Sequence, residues 1–198
     1  MKLPDQTIWN SLKNGNKEAY LQIYKSHYEL LYSYGLKLSN DQELTRDCIH
    51  EIFVNLWEQR AKLNDVLHIK AYLLKYLRRL IFHKLKKKNR QTSIDSLQQE
   101  SFQITFSPED LLIQQDITKE NQQKIMEALS HLSPRQKEII YLKFYDELSY
   151  QEIQDIMSLS YQSVRNTLHK ALTSLRKRLL SLVVIIFFTS KILYINSL

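Results

Sequence analysis

Glycine is nearly missing from this chain of 198 residues. There are two, Gly15 and Gly35, where an average chain of that length carries about fourteen. Phosphate-cradling loops, dinucleotide-binding turns and nucleophile elbows need clustered residues without a Cβ, so all three are excluded. Three prolines argue equally against a turn-rich all-β chain. The single cysteine, Cys48, rules out an internal disulfide and a cysteine-based zinc cluster, and it suits a reducing, cytoplasmic setting. Six histidines, at 27, 50, 68, 83, 131 and 169, show no H-x-x-x-H spacing. Neither metal nor cofactor is expected. Asp47 and Glu51 lie four apart on a helical pattern, which makes them a solvated or docking face, not an acid/base couple. No enzyme activity is expected. No apolar h-region follows Met1, so no secretory signal is expected.

Helix is what remains. The chain is 43% hydrophobic, with 28 Lys and Arg against 21 Asp and Glu, a net +7. That balance favours a polyanionic partner. The charge is also uneven. Residues 1–92 carry 17 basic and 9 acidic side chains, residues 93–124 carry 2 and 6, and residues 125–198 carry 9 and 6. The polar, Ser- and Gln-rich middle reads as an acidic flexible linker. The expected fold is therefore all-α. A basic helical domain (1–92) is followed by a linker (93–117), a second helical domain (118–180) and an apolar C-terminal tail (181–198).

In the first block, Ala19, Ile23, Leu30, Leu31, Tyr34 and Leu38 form a helical stripe over 18–39. A second helix opens at a candidate cap, Asp41. It carries Cys48, Ile49, Ile52, Phe53, Leu56 and Trp57 on one side and Asp47, His50, Glu51, Asn55 and Glu58 on the other. A third helix is expected from about Ile69 to Lys88. Seven Lys or Arg residues and no acid lie between Arg78 and Arg90, interleaved with Phe82 and His83 and preceded by Tyr72 and Tyr76. Cations neutralise phosphates and flat rings stack on unpaired bases.

In the second block, Ser133 and Pro134 mark a helix start. Ser149 and Glu152 form a capping-box pattern. After a short break at 157–159, Ser160 opens a last helix with Val164, Leu168, Ala171, Leu172, Leu175 and Leu179 inward. This is the helix-turn-helix pattern. Its outward set, Tyr161, Gln162, Arg165, Asn166, His169, Lys170 and Thr173, contains no acid and suits base edges and phosphates. The uncharged run from Leu179 to Ser190, interrupted by Lys191, is shorter than the about 20 residues of a membrane span. It reads as a helix that packs on protein or self-associates, ahead of membrane contact.

Together the two blocks resemble the extracytoplasmic-function sigma factors of bacterial RNA polymerase. The likeness runs from about Glu18 to Leu179. Asp47-Cys-Ile-His-Glu-Ile-Phe-Val-Asn-Leu-Trp57 is similar to the family's polymerase-binding helix. Lys70-Ala-Tyr-Leu-Leu-Lys-Tyr-Leu-Arg-Arg79 and the basic run after it resemble the segment that melts and reads the −10 element. Leu132–Glu138, Leu148–Ile153 and Ser160–Ala171 resemble the −35-binding domain. The resemblance implies that Asp47, His50, Glu51, Phe53 and Trp57 bind core polymerase, with part of the Phe53 and Trp57 rings in the core. It implies that Asn64, in the loop 62–68, captures a flipped base. Lys75, Arg78, Arg79, His83, Lys84, Lys86 and Lys87 hold −10 DNA. Arg135, Ser160, Tyr161, Gln162, Ser163, Arg165, Asn166, His169 and Lys170 hold the −35 element. The implied partners are core RNA polymerase and promoter DNA, and family members commonly have an anti-sigma factor. Some residues depart from the usual pattern. His50 replaces Gln, Arg79 and His83 stand where Asn and Asp are common, Gln154 replaces a small Ala, Ser158 a turn Gly, and Thr167 an Arg. The promoter sequence therefore does not follow from the likeness. Two other functions fit parts of the sequence: a polymerase-independent helix-turn-helix regulator, and a membrane-associated protein using the basic run and tail.

Overall fold

The computed structural model describes residues 4–88 and 119–179. The linker (93–117) and the tail (181–198) lie outside them. Among the described residues there are eight α-helices and no strand. α1 spans Asp5–Lys13, α2 Lys17–Ser39, α3 Gln42–Glu58 and α4 Ile69–Lys88, with one 3-10 turn at Arg60–Lys62. α5 spans Lys119–Ser130, α6 Pro134–Phe144, α7 Tyr150–Met157 and α8 Tyr161–Arg178. The all-α expectation is met, in two helical clusters.

The caps form where the sequence places them. Asp41 accepts the Leu44 amide at 3.0 Å. Ser133 with Gln136, and Ser149 with Glu152, close full capping boxes, and Ser160 accepts the Ser163 amide at 3.1 Å. Each satisfies amides that a helix start leaves unpaired. Two helices were not marked by periodicity. α5 follows the linker. α1 buries Ile8, Trp9 and Leu12 and holds distant chain in place. The Trp9 indole donates to the Asn64 carbonyl at 2.9 Å. Asp5 Oδ2 accepts the Ile69 amide at 2.9 Å, so α1 supplies a cap for α4.

α2, α3 and α4 pack on one another, with α1 against α2. Gly35 sits at their meeting point. A Cβ built there lies 2.8 Å from Thr45 Cγ2 and 3.2 Å from Leu77 Cδ2, so this helix crossing depends on an absent side chain. Gly15 serves differently. Its φ of +82° makes the turn between α1 and α2 with no Cβ penalty. In the second cluster α8 packs against α5, α6 and α7 through Val164, Leu168, Ala171 and Leu175. The clusters also touch, α7 lying against α4.

Candidate functional site

α3 turns two different faces outward and inward. Asp47 and His50 are exposed and Glu51 is partly so. Phe53 is 2% exposed. Its ring packs edge-on to Tyr20 and Tyr24 from α2, so it supports the face and does not line it. Trp57 is half-buried, with the Arg60 guanidinium 4.4 Å from its ring centre. Val54 on α3 is exposed, as is Tyr24, which packs on Phe53 from α2. Cys48 beneath the acidic face is fully buried, and burial pushes its thiol up to about 11. It is a neutral core residue, not a nucleophile.

The loop before α4 is held from α1. Besides the Trp9–Asn64 bond, Lys13 pairs with Asp65 at 2.6 Å. The Asn64 side chain is left exposed, while its backbone is anchored. On α4, Arg79, His83, Lys86 and Lys87 are exposed, and Lys75 and Lys84 partly so. Lys75, Arg79 and His83, with Tyr72, Tyr76 and Asn55, line a cleft of about 740 Å³. Asn55 donates to the Tyr76 hydroxyl at 3.1 Å. Lys84 pairs with Glu51 at 2.8 Å, which ties the α4 cations to the acidic face of α3. That hydrogen bond raises the Lys84 pKa and keeps the ammonium charged.

Arg78 behaves differently from the other α4 cations. It is 5% exposed, and its Nε donates to Glu138 Oε1 at 3.0 Å. Burial works against its charge, but Glu138 and Tyr34 more than offset that. The physical reason for its placement is position. On a 3.6-residue repeat, 78 falls on the same side as Leu74 and Ile81, and both are buried. Arg79 is one step round and faces water.

The helix-turn-helix is α7, a turn at 158–160, and α8. Ser158 adopts φ 54°, ψ 48°, the left-handed cap conformation that favours glycine. Lys143, buried in α6, donates to the Leu148 carbonyl at 3.0 Å and steadies the preceding loop. Ser160, Tyr161, Gln162, Arg165, Asn166, His169 and Lys170 are all exposed, and Ser163 partly so. Gln162 Nε2 donates to Asn166 Oδ1 at 3.1 Å, which aligns two amides on one face. α8 carries five Lys or Arg residues and no acid. Arg135 is exposed at the start of α6.

The arrangement offers phosphate-binding cations, stackable rings and amide side chains on helix faces. In the sequence Tyr72 and Tyr76 stand out only as rings near the basic run, with no site assigned to them. Glu138 and Tyr34 do not stand out there as partners of Arg78. Glu138 shares a helical stripe with Tyr141 and Tyr145, and an acid on an otherwise apolar stripe is the signal that could have found it.

Comparison with known proteins agrees with this geometry. The family model described as Sigma-70 region 2 matches residues 23–91, and Sigma-70, region 4 matches residues 122–175. Together they span more than half of the chain. The chain is 22% identical over 177 residues to the ECF RNA polymerase sigma factor SigW of Bacillus subtilis, covering 85% of this chain and 92% of that protein. It is 23% identical over 168 residues to SigX of the same organism, covering 82% and 84%. Its fold is similar to that of CnrH solved with the cytosolic domain of CnrY (TM-score 0.58, 16% identity, 89% of this chain and 97% of that one). It is also similar to the sigma factor RpoE solved with the anti-sigma factor NepR from Bartonella quintana (TM-score 0.54, 20% identity, 82% and 95%). The chain belongs to the sigma-70 family, as one of its extracytoplasmic-function sigma factors.

Proposed function

We infer that this chain binds core RNA polymerase in the cytoplasm and directs it to promoters, with residues 1–92 and 118–180 as its two binding domains. The observation that carries the reading is the pairing of two sigma-70 regions in order with an acid-free, exposed α8 face. Asp47, His50 and Glu51 are the polar contacts to polymerase, with Trp57 at their edge and Phe53 beneath. Asn64 and the α4 cleft take the unpaired −10 strand. Lys75, Arg79, His83, Lys84, Lys86 and Lys87 neutralise its phosphates, and Tyr72 and Tyr76 supply stacking surface. Base stacking of about 1–3 kcal/mol per base helps to offset the cost of unpairing. Ser160, Gln162, Ser163, Arg165 and Asn166 enter the −35 major groove from the start of α8. Tyr161 lies beside them, and Arg135, His169 and Lys170 lie nearer phosphate. Sigma factors act by binding, so no residue is assigned to catalysis. An anti-sigma factor is a further partner of the kind seen with RpoE.

Charge reversal on α3 tests this directly. Asp47→Arg, at an exposed position, is expected to weaken association with core polymerase about tenfold or more, the size of effect that loss of an interface charge pair produces. Helicity should not change. Unaltered polymerase association, with tight duplex binding by the chain alone, would favour the polymerase-independent regulator.

A further inference from the structure

The two helical clusters meet through charge as well as apolar packing. Arg78 is 5% exposed and Glu138 is 1% exposed. Arg78 Nε donates to Glu138 Oε1 at 3.0 Å, and the Tyr34 hydroxyl donates to the same oxygen at 2.6 Å. Glu138 comes from α6, its two donors from α4 and α2. Burial, and then Glu138, raise the Tyr34 pKa well above its ordinary value, so the phenol stays protonated and keeps donating. Tyr141 continues the contact. Its ring stacks on Tyr34 at 6.1 Å between centroids, its hydroxyl bonds Ser33 Oγ at 3.2 Å, and Lys37 Nζ lies 5.4 Å from its ring centre. Farther along, Lys70 donates to the Asp146 carbonyl, and His68 lies 4.0 Å from Glu152.

This contact buries one cation of the set assigned to −10 DNA, Arg78, while Arg79, His83, Lys86 and Lys87 stay exposed. An arginine held by a buried carboxylate is withheld from phosphate. Ser158, at the corner of the helix-turn-helix, lines the same cleft as Tyr76 and Arg79. A buried ion pair adds little net stability over apolar residues of the same shape, yet removing one partner strands the other charge. Such a pair suits a contact that must open: an incoming phosphate can replace the carboxylate, and the guanidinium is never left alone.

We propose that the closed arrangement is an autoinhibited state, in which Glu138 stands in for a DNA phosphate on Arg78 and holds the second domain at the edge of the −10 surface. Opening exchanges one oxyanion for another on the same guanidinium and moves Ser158 away from the cleft. The proposal rests on α4 being the −10 surface, and its test separates the two claims.

The test uses the full chain with dyes at Glu43→Cys and Thr173→Cys, both exposed positions; buried Cys48 does not compete for label. Energy transfer reads domain separation, and a mixed-sequence single-stranded DNA reads the −10 surface. Glu138→Gln is expected to lower transfer and tighten DNA binding about tenfold, as a minor competent state becomes dominant. Tyr34→Phe should shift both in the same direction by less, and it carries the test if Glu138→Gln loses helicity. Unchanged transfer and unchanged affinity in a folded variant would overturn the latch. Lower transfer with no gain in DNA affinity would overturn the phosphate exchange, whereas single-stranded DNA binding that is unchanged by Arg79→Ala with Lys86→Ala would overturn the −10 reading of α4 itself.

Discussion

Single residues set the tolerances of this fold. Gly35 allows α2, α3 and α4 to approach where a Cβ would lie 2.8 Å from Thr45 Cγ2. Thr45 cannot swing away, because its hydroxyl donates to the Asp41 carbonyl at 2.7 Å and it is fully buried. Gly35→Ala should therefore destabilise the chain by about 1–3 kcal/mol, the usual cost of overpacking, read as a lower midpoint in urea. An alanine variant as stable as the parent would show that the crossing has slack. Asp146 makes a different prediction. Burial pushes its carboxyl up to about 7 despite the nearby Lys70 and Lys37, and among the described residues its Oδ2 has no hydrogen-bond partner. The folded chain thus binds this proton more tightly than the unfolded chain does. The contribution is fully present below about pH 4 and is lost as pH rises to about 7. Asp146→Asn should accordingly gain stability over the parent as pH rises, by about 2 kcal/mol more at pH 8 than at pH 5. Thermal unfolding at the two pH values checks this, and an equal or reversed gap would contradict it.

At the scale of elements, what could be read in advance depended on how far apart the partners lie in sequence. The caps Asp41, Ser133, Ser149 and Ser160 act within three residues, and all four form as expected. The stripe of α8 repeats over four turns, and the exposed set opposite it follows from the same periodicity. α1 was not legible because nine residues with three buried side chains make a weak pattern. Its stabilising partners, Asn64 and Ile69, lie 55 and 64 residues away. α5 was obscured by its polar first half, Lys119-Glu-Asn-Gln-Gln-Lys124. Among the candidate site residues, exposure on α8 was legible, and the withdrawal of Arg78 was not, since Glu138 is 60 positions distant. α1 also predicts an effect at a distance. Trp9→Ala should cost about 3–5 kcal/mol, as for other buried aromatics. It should also raise amide exchange in the loop 63–68, which Trp9 holds. Loss of stability with unchanged exchange in that loop would separate α1 from the loop's order.

At the scale of the molecule, the scarcity of glycine acquires a positive meaning. The candidate polymerase, −10 and −35 surfaces lie on helix faces and one short loop, and the corner of the helix-turn-helix manages with Ser158 in a left-handed conformation. Binding surfaces of this kind need no Gly-rich loop, because side chains on rigid helices provide the chemistry. In the proposed closed state the domain contact decides when Arg78 is available to −10 DNA, and the Arg78–Glu138 pair is where the second domain competes with DNA. The measurement that bears most directly on the central claim is transcription in a purified system: core RNA polymerase, this chain and a library of bacterial promoter fragments. Discrete transcripts that appear only when the chain is present, and that fade when Arg165 and Asn166 are changed to alanine, are the predicted result. The same transcripts with core polymerase alone, or none with a folded chain that binds neither polymerase nor DNA, would contradict the account.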